Sequence, residues 1–171
     1  MDKRVICNNV AALSREVYMV LDRIDRRLLE IVQEKGRLST AEIAESIGLS
    51  PSPCARRLKK LEESGVIDSY NASLNKSKLG IGMTVFVEVS LNNHQASSIE
   101  KFEQSIQESG TVINCHVVSG AYDYLLEVVT KDLEGYEQFT RQLQRIETVK
   151  DIHTHLAIRQ VKQGKTLPIL I

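Results

Sequence analysis

Apolar residues along the first half of the chain recur at helical spacing. Leu21, Ile24, Leu28 and Ile31 step by three, four and three, which predicts one amphipathic helix ending near Gly36. Ser39 and Glu42 then form an S-x-x-E capping box, in which each side chain satisfies a free backbone N–H of the other. Ile43, Ala44 and Ile47 give this second, short helix an inner face, and Gly48 stands where a left-handed residue ends it. A third helix starts at "SPSPCARRLKKLEESG": Ser50 is its N-cap, Pro51 takes the first position, where a missing N–H costs nothing, and Pro53 stays within the first turn. Cys54, Leu58 and Leu61 fall on one side of it.

From Thr84 the period changes. "TVFVEVSL" alternates Val85, Val87, Val89 and Leu91 with Phe86, Glu88 and Ser90, a strand with two usable faces. Ile99, Phe102 and Ile106 mark a helix that Gly110 ends, "TVINCHVVS" is a β-branched second strand, and "GAYD" turns the chain into a third, "YLLEVVT". Tyr136, Phe139, Leu143 and Ile146 repeat the helical step, and "DIHTHLAIRQV" supplies a fourth strand. The order β-α-β-β-α-β is the ferredoxin-like unit. The expected fold is therefore α+β in two domains: a helix-turn-helix over residues 21–70 and a ferredoxin-like domain over 83–163. An extension at 1–20, a connector at 71–82 and a tail at 164–171 complete it. The polar connector is compatible with a short strand, and residues 1–20 with either an extension or an added helix.

Composition restricts the partners. With 171 residues, 42% hydrophobic and 26% charged, the chain is rich enough to fold and too rich for disorder. Lys+Arg 22 balance Asp+Glu 22, so no global field draws it to nucleic acid or membrane, and any such affinity must come from a patch. Cys7, Cys54 and Cys115 are widely spaced with no C-x-x-C pair, which argues against a disulfide framework or a thiolate zinc site and fits a reducing cytoplasm. No apolar run approaches the roughly 18 residues of a membrane span, so neither export nor anchoring is expected.

The third helix carries such a patch. Ser52, Arg56, Lys59 and Lys60 point away from its apolar side, with Arg57 flanking. Basic residues on an exposed helix often only solubilise it. Here a capped helix and a tight turn precede it, the arrangement in which a last helix enters the DNA major groove. Arginine can then read a guanine edge, while lysines, Ser50 and Ser52 suit phosphate oxygens.

Two long stretches carry a resemblance. "LDRIDRRLLEIVQEKGRLSTAEIAESIGLSPSPCARRLKKLEESGVI" is similar to the DNA-binding domain of the leucine-responsive regulatory protein and asparagine-regulator (Lrp/AsnC, feast/famine) family. "VFVEVSL" and "CHVVSGAYDYLLEV" resemble its effector-binding domain. The resemblance covers roughly residues 21–163. It implies a transcription regulator, not an enzyme, that binds double-stranded promoter DNA, responds to an amino acid or related small metabolite without a cofactor, and forms a homodimer assembling further to an octamer. Residues 1–20 have no counterpart, which leaves Met19 as an alternative start. The family uses the loop of Gly120, Ala121, Tyr122 and Asp123 for effector contact between dimers. Gly120 allows a tight turn with outward N–H groups for a carboxylate, and Asp123 offers a counter-charge for an ammonium. By matching positions, Val117, Leu133, His155, Leu156 and Ala157 line the side-chain pocket. His155 is less apolar than a strict leucine responder would want, so the effector's identity stays open.

His153 and His155 share a strand face, and with His116 they permit a metal site, but no carboxylate or cysteine spacing completes one. The motifs G-x-S-x-G, P-loop, H-E-x-x-H and G-x-G-x-x-G are absent. The catalytic alternative is a tetrapyrrole-processing decarboxylase of similar two-domain architecture, in which His116, His153 and His155 would act.

Overall fold

The computed structural model of the chain describes residues 20–164 and 166–170. The extension expected at 1–20, with Cys7 and the alternative start at Met19, lies outside these residues except for Val20. The described residues divide into two compact units, one of residues 20–73 with 162–164 and 166–170, the other spanning Leu74–Val161.

Three helices build the first unit: α1 (Arg23–Lys35), α2 (Thr40–Ile47) and α3 (Pro51–Glu63). α1 starts with a capping box absent from the sequence reading. The Asp22 carboxylate accepts the Ile24 and Asp25 N–H groups, both at 2.8 Å, while Asp25 accepts the Asp22 N–H at 3.3 Å. α2 is capped as expected: Ser39 Oγ accepts the Glu42 N–H, Glu42 accepts the Ser39 N–H at 2.8 Å, and Gly48 ends it at φ 70°. Ser50 has the extended backbone of an N-cap, yet its side chain makes no capping hydrogen bond. Leu28, Ala44, Cys54 and Leu61 are fully or almost fully buried between the helices.

In the second unit a short 3-10 turn (Ser77–Leu79) precedes β1 (Met83–Leu91), α4 (Ala96–Gln107), β2 (Val112–Val117), β3 (Tyr124–Thr130), α5 (Leu133–Gln144) and β4 (Val149–Leu156). The sheet order is β2-β3-β1-β4, antiparallel throughout, so the ferredoxin-like order expected from the sequence is present. The connector forms the 3-10 turn and no strand, and Lys76 reaches across to Glu127 at 3.2 Å. β4 begins two residues earlier than expected and ends at Leu156, short of Val161.

The pleat sends alternate residues of β1 to opposite faces. Val85, Val87, Val89 and Leu91 pack with Leu126 and Val128 of β3 under Phe102 and Ile106 of α4 and Phe139 and Leu143 of α5. Both helices thus cover one face. The other face is open, and two rows cross it: His116, Leu125, Glu88 and His153, then Asn114, Glu127, Phe86 and His155. Among the described residues no helix is long and apolar enough to cross a membrane.

Phe102 is fully buried, its ring 4.6 Å from that of Tyr124. Phe102→Ala is expected to cost about 3–5 kcal/mol, because a cavity at the sheet–helix junction cannot collapse onto a rigid strand. Urea unfolding followed by far-UV circular dichroism checks this.

Candidate functional site

α3 presents two chemically distinct sides. Cys54, Leu58 and Leu61 are buried, and burial pushes the Cys54 thiol up, away from thiolate reactivity. Ser52, Arg56, Lys59 and Lys60 are exposed on the opposite side. Among the described residues Arg56 and Lys60 pair with no carboxylate, and Lys59 makes only an exposed 3.6 Å contact with Glu63. Pro51 and Pro53 remove two of the first-turn N–H groups, and Cys54 N–H is directed to the Ser50 carbonyl. The helix start therefore offers an anion the Ser52 N–H and the uncommitted Ser50 hydroxyl.

Arg57 lies elsewhere. Its Nη1 bonds Asp22 at 2.6 Å and Asp25 at 2.7 Å. Asp25 and then Asp22 push the Arg57 guanidinium above its usual range, and the Asp25 N–H and then Arg57 hold Asp22 below the ordinary carboxylate value. This triad locks α3 to the start of α1. The two aspartates were missed in the sequence, although "LDRIDRR" places both at a helix N-terminus.

The second cluster surrounds the β2–β3 hairpin. Gly120 has φ 141°, which a side chain would strain, and lies in the bent six-residue connection from Val118 to Asp123 rather than in a minimal hairpin turn. Val118 N–H bonds the Asp123 carbonyl at 2.9 Å, and Asp123 N–H reaches the Val89 carbonyl at 3.0 Å, fixing the loop beside the end of β1. The Asp123 carboxylate accepts the Leu91 N–H at 2.8 Å and faces His94 Nε2 at 2.7 Å. Burial acts to raise the Asp123 carboxyl, but the Leu91 N–H, His94 and Lys150 outweigh it and leave it lowered. His94 carries no local sequence signal, since its partner is 29 residues away.

By backbone position the expected effector residues fall at two ends of the sheet within one chain, although the Tyr122 and His155 side chains both approach Glu88 between them. Val117 and the Gly120–Asp123 loop sit beside Val89, whereas His155, Leu156 and Ala157 lie beside Phe86, Val85 and Thr84, about 13 Å away by strand rise. Leu133 opens α5 just after Thr130, which pairs with Met83 at that same far end. Glu88 lies between the ends and was missed as a site residue, though a lone carboxylate in an apolar strand was its signal. His155 Nε2 is 3.3 Å from it, and the Tyr122 ring is 5.7 Å from that of His153. Burial works to raise the Glu88 carboxyl, and Tyr122, His155 and His153 together bring it below its usual value. Although His116, His153 and His155 share the open face, no group of three metal-ligating side chains occurs among the described residues.

Residues 84–167 match the Lrp/AsnC ligand binding domain family, and residues 21–68 match the winged helix-turn-helix DNA-binding family. The leucine-responsive regulatory proteins of Klebsiella pneumoniae and Escherichia coli (strain K12) are each 39% identical over 150 residues, covering 87% of this chain and 92% of theirs. A crystal structure of a transcriptional regulator from Neisseria meningitidis in complex with L-Met aligns with TM-score 0.85 and 32% identity, over 88% of this chain and 98% of that one. An AsnC family transcriptional regulator from Agrobacterium tumefaciens aligns with TM-score 0.82 and 37% identity, over 87% and 97%. These relatives are regulators, and the decarboxylase alternative finds no support among them.

Two expectations follow from the ion pairs. Arg57→Ala leaves Asp25 buried without its cation and is expected to destabilise the helical unit by about 1–2 kcal/mol, whereas Arg56→Ala changes stability by less than about 0.5 kcal/mol. Thermal unfolding of both variants measures the contrast. The carboxyl of Asp123 is lowered on folding, so its contribution is complete above its ordinary value of 3.8 and is lost as the pH falls through the lower folded value. Asp123→Asn should therefore flatten the acid limb of a stability curve recorded from about pH 5 to 2.

Proposed function

Because this chain belongs to the Lrp/AsnC family of DNA-binding transcription regulators with an amino-acid ligand-binding domain, we propose that α3 reads promoter DNA through Arg56, with Ser50, Ser52, Lys59 and Lys60 on phosphates. Arg57 serves this interface indirectly, by holding α3 on α1. The observation that carries the reading is the division of one helix into a packed apolar side and an unpaired basic side.

The effector is a free amino acid. Two of the carboxylate's roughly four acceptor positions at Asp123 are engaged by Leu91 and His94, which leaves acceptor capacity for an ammonium. The L-Met bound to the Neisseria relative supports this ligand class. Val117, Ala121, Tyr122, Leu133, His155, Leu156 and Ala157 line the side-chain pocket. Tyr122 and His155 approach each other at Glu88 within one chain, and a second copy adds further walls, as in a homodimer assembling to an octamer. The open sheet face, on which Phe86 is 38% exposed beside His155 and Glu127, is the surface for the first association. The protein acts in the cytoplasm and needs no cofactor.

Footprinting on DNA upstream of its own gene tests the regulator's target. Arg56→Ala is expected to cost about 1–3 kcal/mol and relax specificity at one position, while Lys60→Ala mainly reduces the salt slope; unchanged salt titrations for both would remove α3 from the interface. For the effector, calorimetry across the amino acids is expected to show binding weakened by about 10- to 100-fold in Asp123→Asn, and equal binding by both proteins would make Asp123 a turn residue only.

A further inference from the structure

The last described residues of the chain belong to the helix-turn-helix unit. Leu167 donates its N–H to Gln33 Oε1 at 2.6 Å, and its carbonyl accepts from Gln33 Nε2 at 3.4 Å. One side-chain amide on α1 thereby engages both polar groups of a single residue, as a neighbouring strand would. Two residues on, Ile169 packs half-buried against the helical core, and residues 167–170 themselves border a groove whose facing apolar lining includes Leu21, Leu29, Val32, Val66 and Ile67. Leu167 and Leu170 keep their side chains exposed, at 79% and 87%. The attachment thus rests on one amide and one apolar side chain, so it can form and release without unfolding the unit.

The two walls of this groove matter. One is α1. The other is the segment leaving α3, tied to that helix by the Ile67 N–H on the Leu61 carbonyl at 3.1 Å. A segment lying between them bears on α1 and on the C-terminal end of α3 together. It is also covalently continuous with β4, whose last residue is Leu156.

We infer that this groove is a docking site for an extended apolar segment, that its occupant is the chain's own residues 166–170, and that seating them steadies α3 for DNA. The site is independent of the effector reading, since neither Gln33 nor the groove contains a proposed effector residue. Its recognition chemistry is specific: the backbone N–H and carbonyl of one residue presented to Gln33, with an isoleucine two residues beyond.

The test uses the full chain, its Gln33→Ala variant and a chain ending at Gln163. Hydrogen exchange should show the Leu167 amide protected at least about tenfold in the wild type and unprotected in Gln33→Ala. DNA affinity, by fluorescence anisotropy, should fall about 3- to 10-fold in both altered proteins, and an excess of the peptide Thr-Leu-Pro-Ile-Leu should restore it in the shortened chain. Should the shortened chain fail to fold, Gln33→Ala carries both readouts alone. A Leu167 amide exchanging freely in the wild type, or DNA affinity unchanged in Gln33→Ala, overturns the inference. Mixing the shortened chain with an equimolar amount of the full wild-type chain, whose own groove is intact, distinguishes the source of the tail: α1 amides of the shortened chain that stay unprotected support own-chain docking, and amides that gain protection show exchange between copies and overturn it.

Discussion

A four-stranded sheet has two faces, and α4 and α5 cover only one. The pleat leaves no freedom in how β1 responds: once Val85, Val87 and Val89 point under the helices, Phe86 and Glu88 must point out. The registers of β2, β3 and β4 then determine what surrounds them, which is why Leu125, His116, His153 and His155 gather on the same exposed surface. Such a mixture of apolar and titratable side chains tolerates water in a single chain. It also gives a second copy something to recognise beyond hydrophobicity, since buried polar groups demand matched partners. The proposed assembly and the proposed effector site both begin from this uncovered face.

On the helical unit, geometry decides between residues of the same type. Arg56 and Arg57 are adjacent in sequence and about 100° apart around α3. That rotation sends Arg57 to Asp22 and Asp25, at 2.6 and 2.7 Å, and leaves Arg56 facing solvent. The capping box of α1 is therefore more than a local device. Its two carboxylates satisfy N–H groups of their own helix and hold the neighbouring one, so the basic face of α3 is presented at an angle set by the start of α1.

Much of this was legible from periodicity alone. The helical stripes, the Ser39–Glu42 box, the strand alternation of β1 and the order of the sheet unit all follow from interactions within a few residues, where spacing carries the physics. The family resemblance added the proposed use of the hairpin loop. What stayed hidden depends on contacts distant in sequence: Arg57 with Asp22 across 35 residues, Asp123 with His94 across 29, and Leu167 with Gln33 across 134. Glu88 was visible as a charged residue in an apolar strand, but its neighbours Tyr122 and His155 come from two other segments. Periodicity names a face and cannot name what lies across from it.

The placement of Asp123 bears on how a bound amino acid could reach the rest of the protein. Its carboxylate is bonded to the N–H of Leu91, the last residue of β1, and to His94 in the turn before α4. Under the proposed reading, an ammonium taking the remaining acceptor positions sits beside His94 and next to the central strand, whose outward residues form the proposed association surface. A ligand shifts an equilibrium only by the difference in its affinity for the two states. Under the proposed reading, a second copy that adds walls to the pocket supplies that difference, because an assembled pair offers the ligand contacts that a lone chain lacks. Effector binding and assembly are then linked through those added contacts, and no long-range distortion within either unit is required.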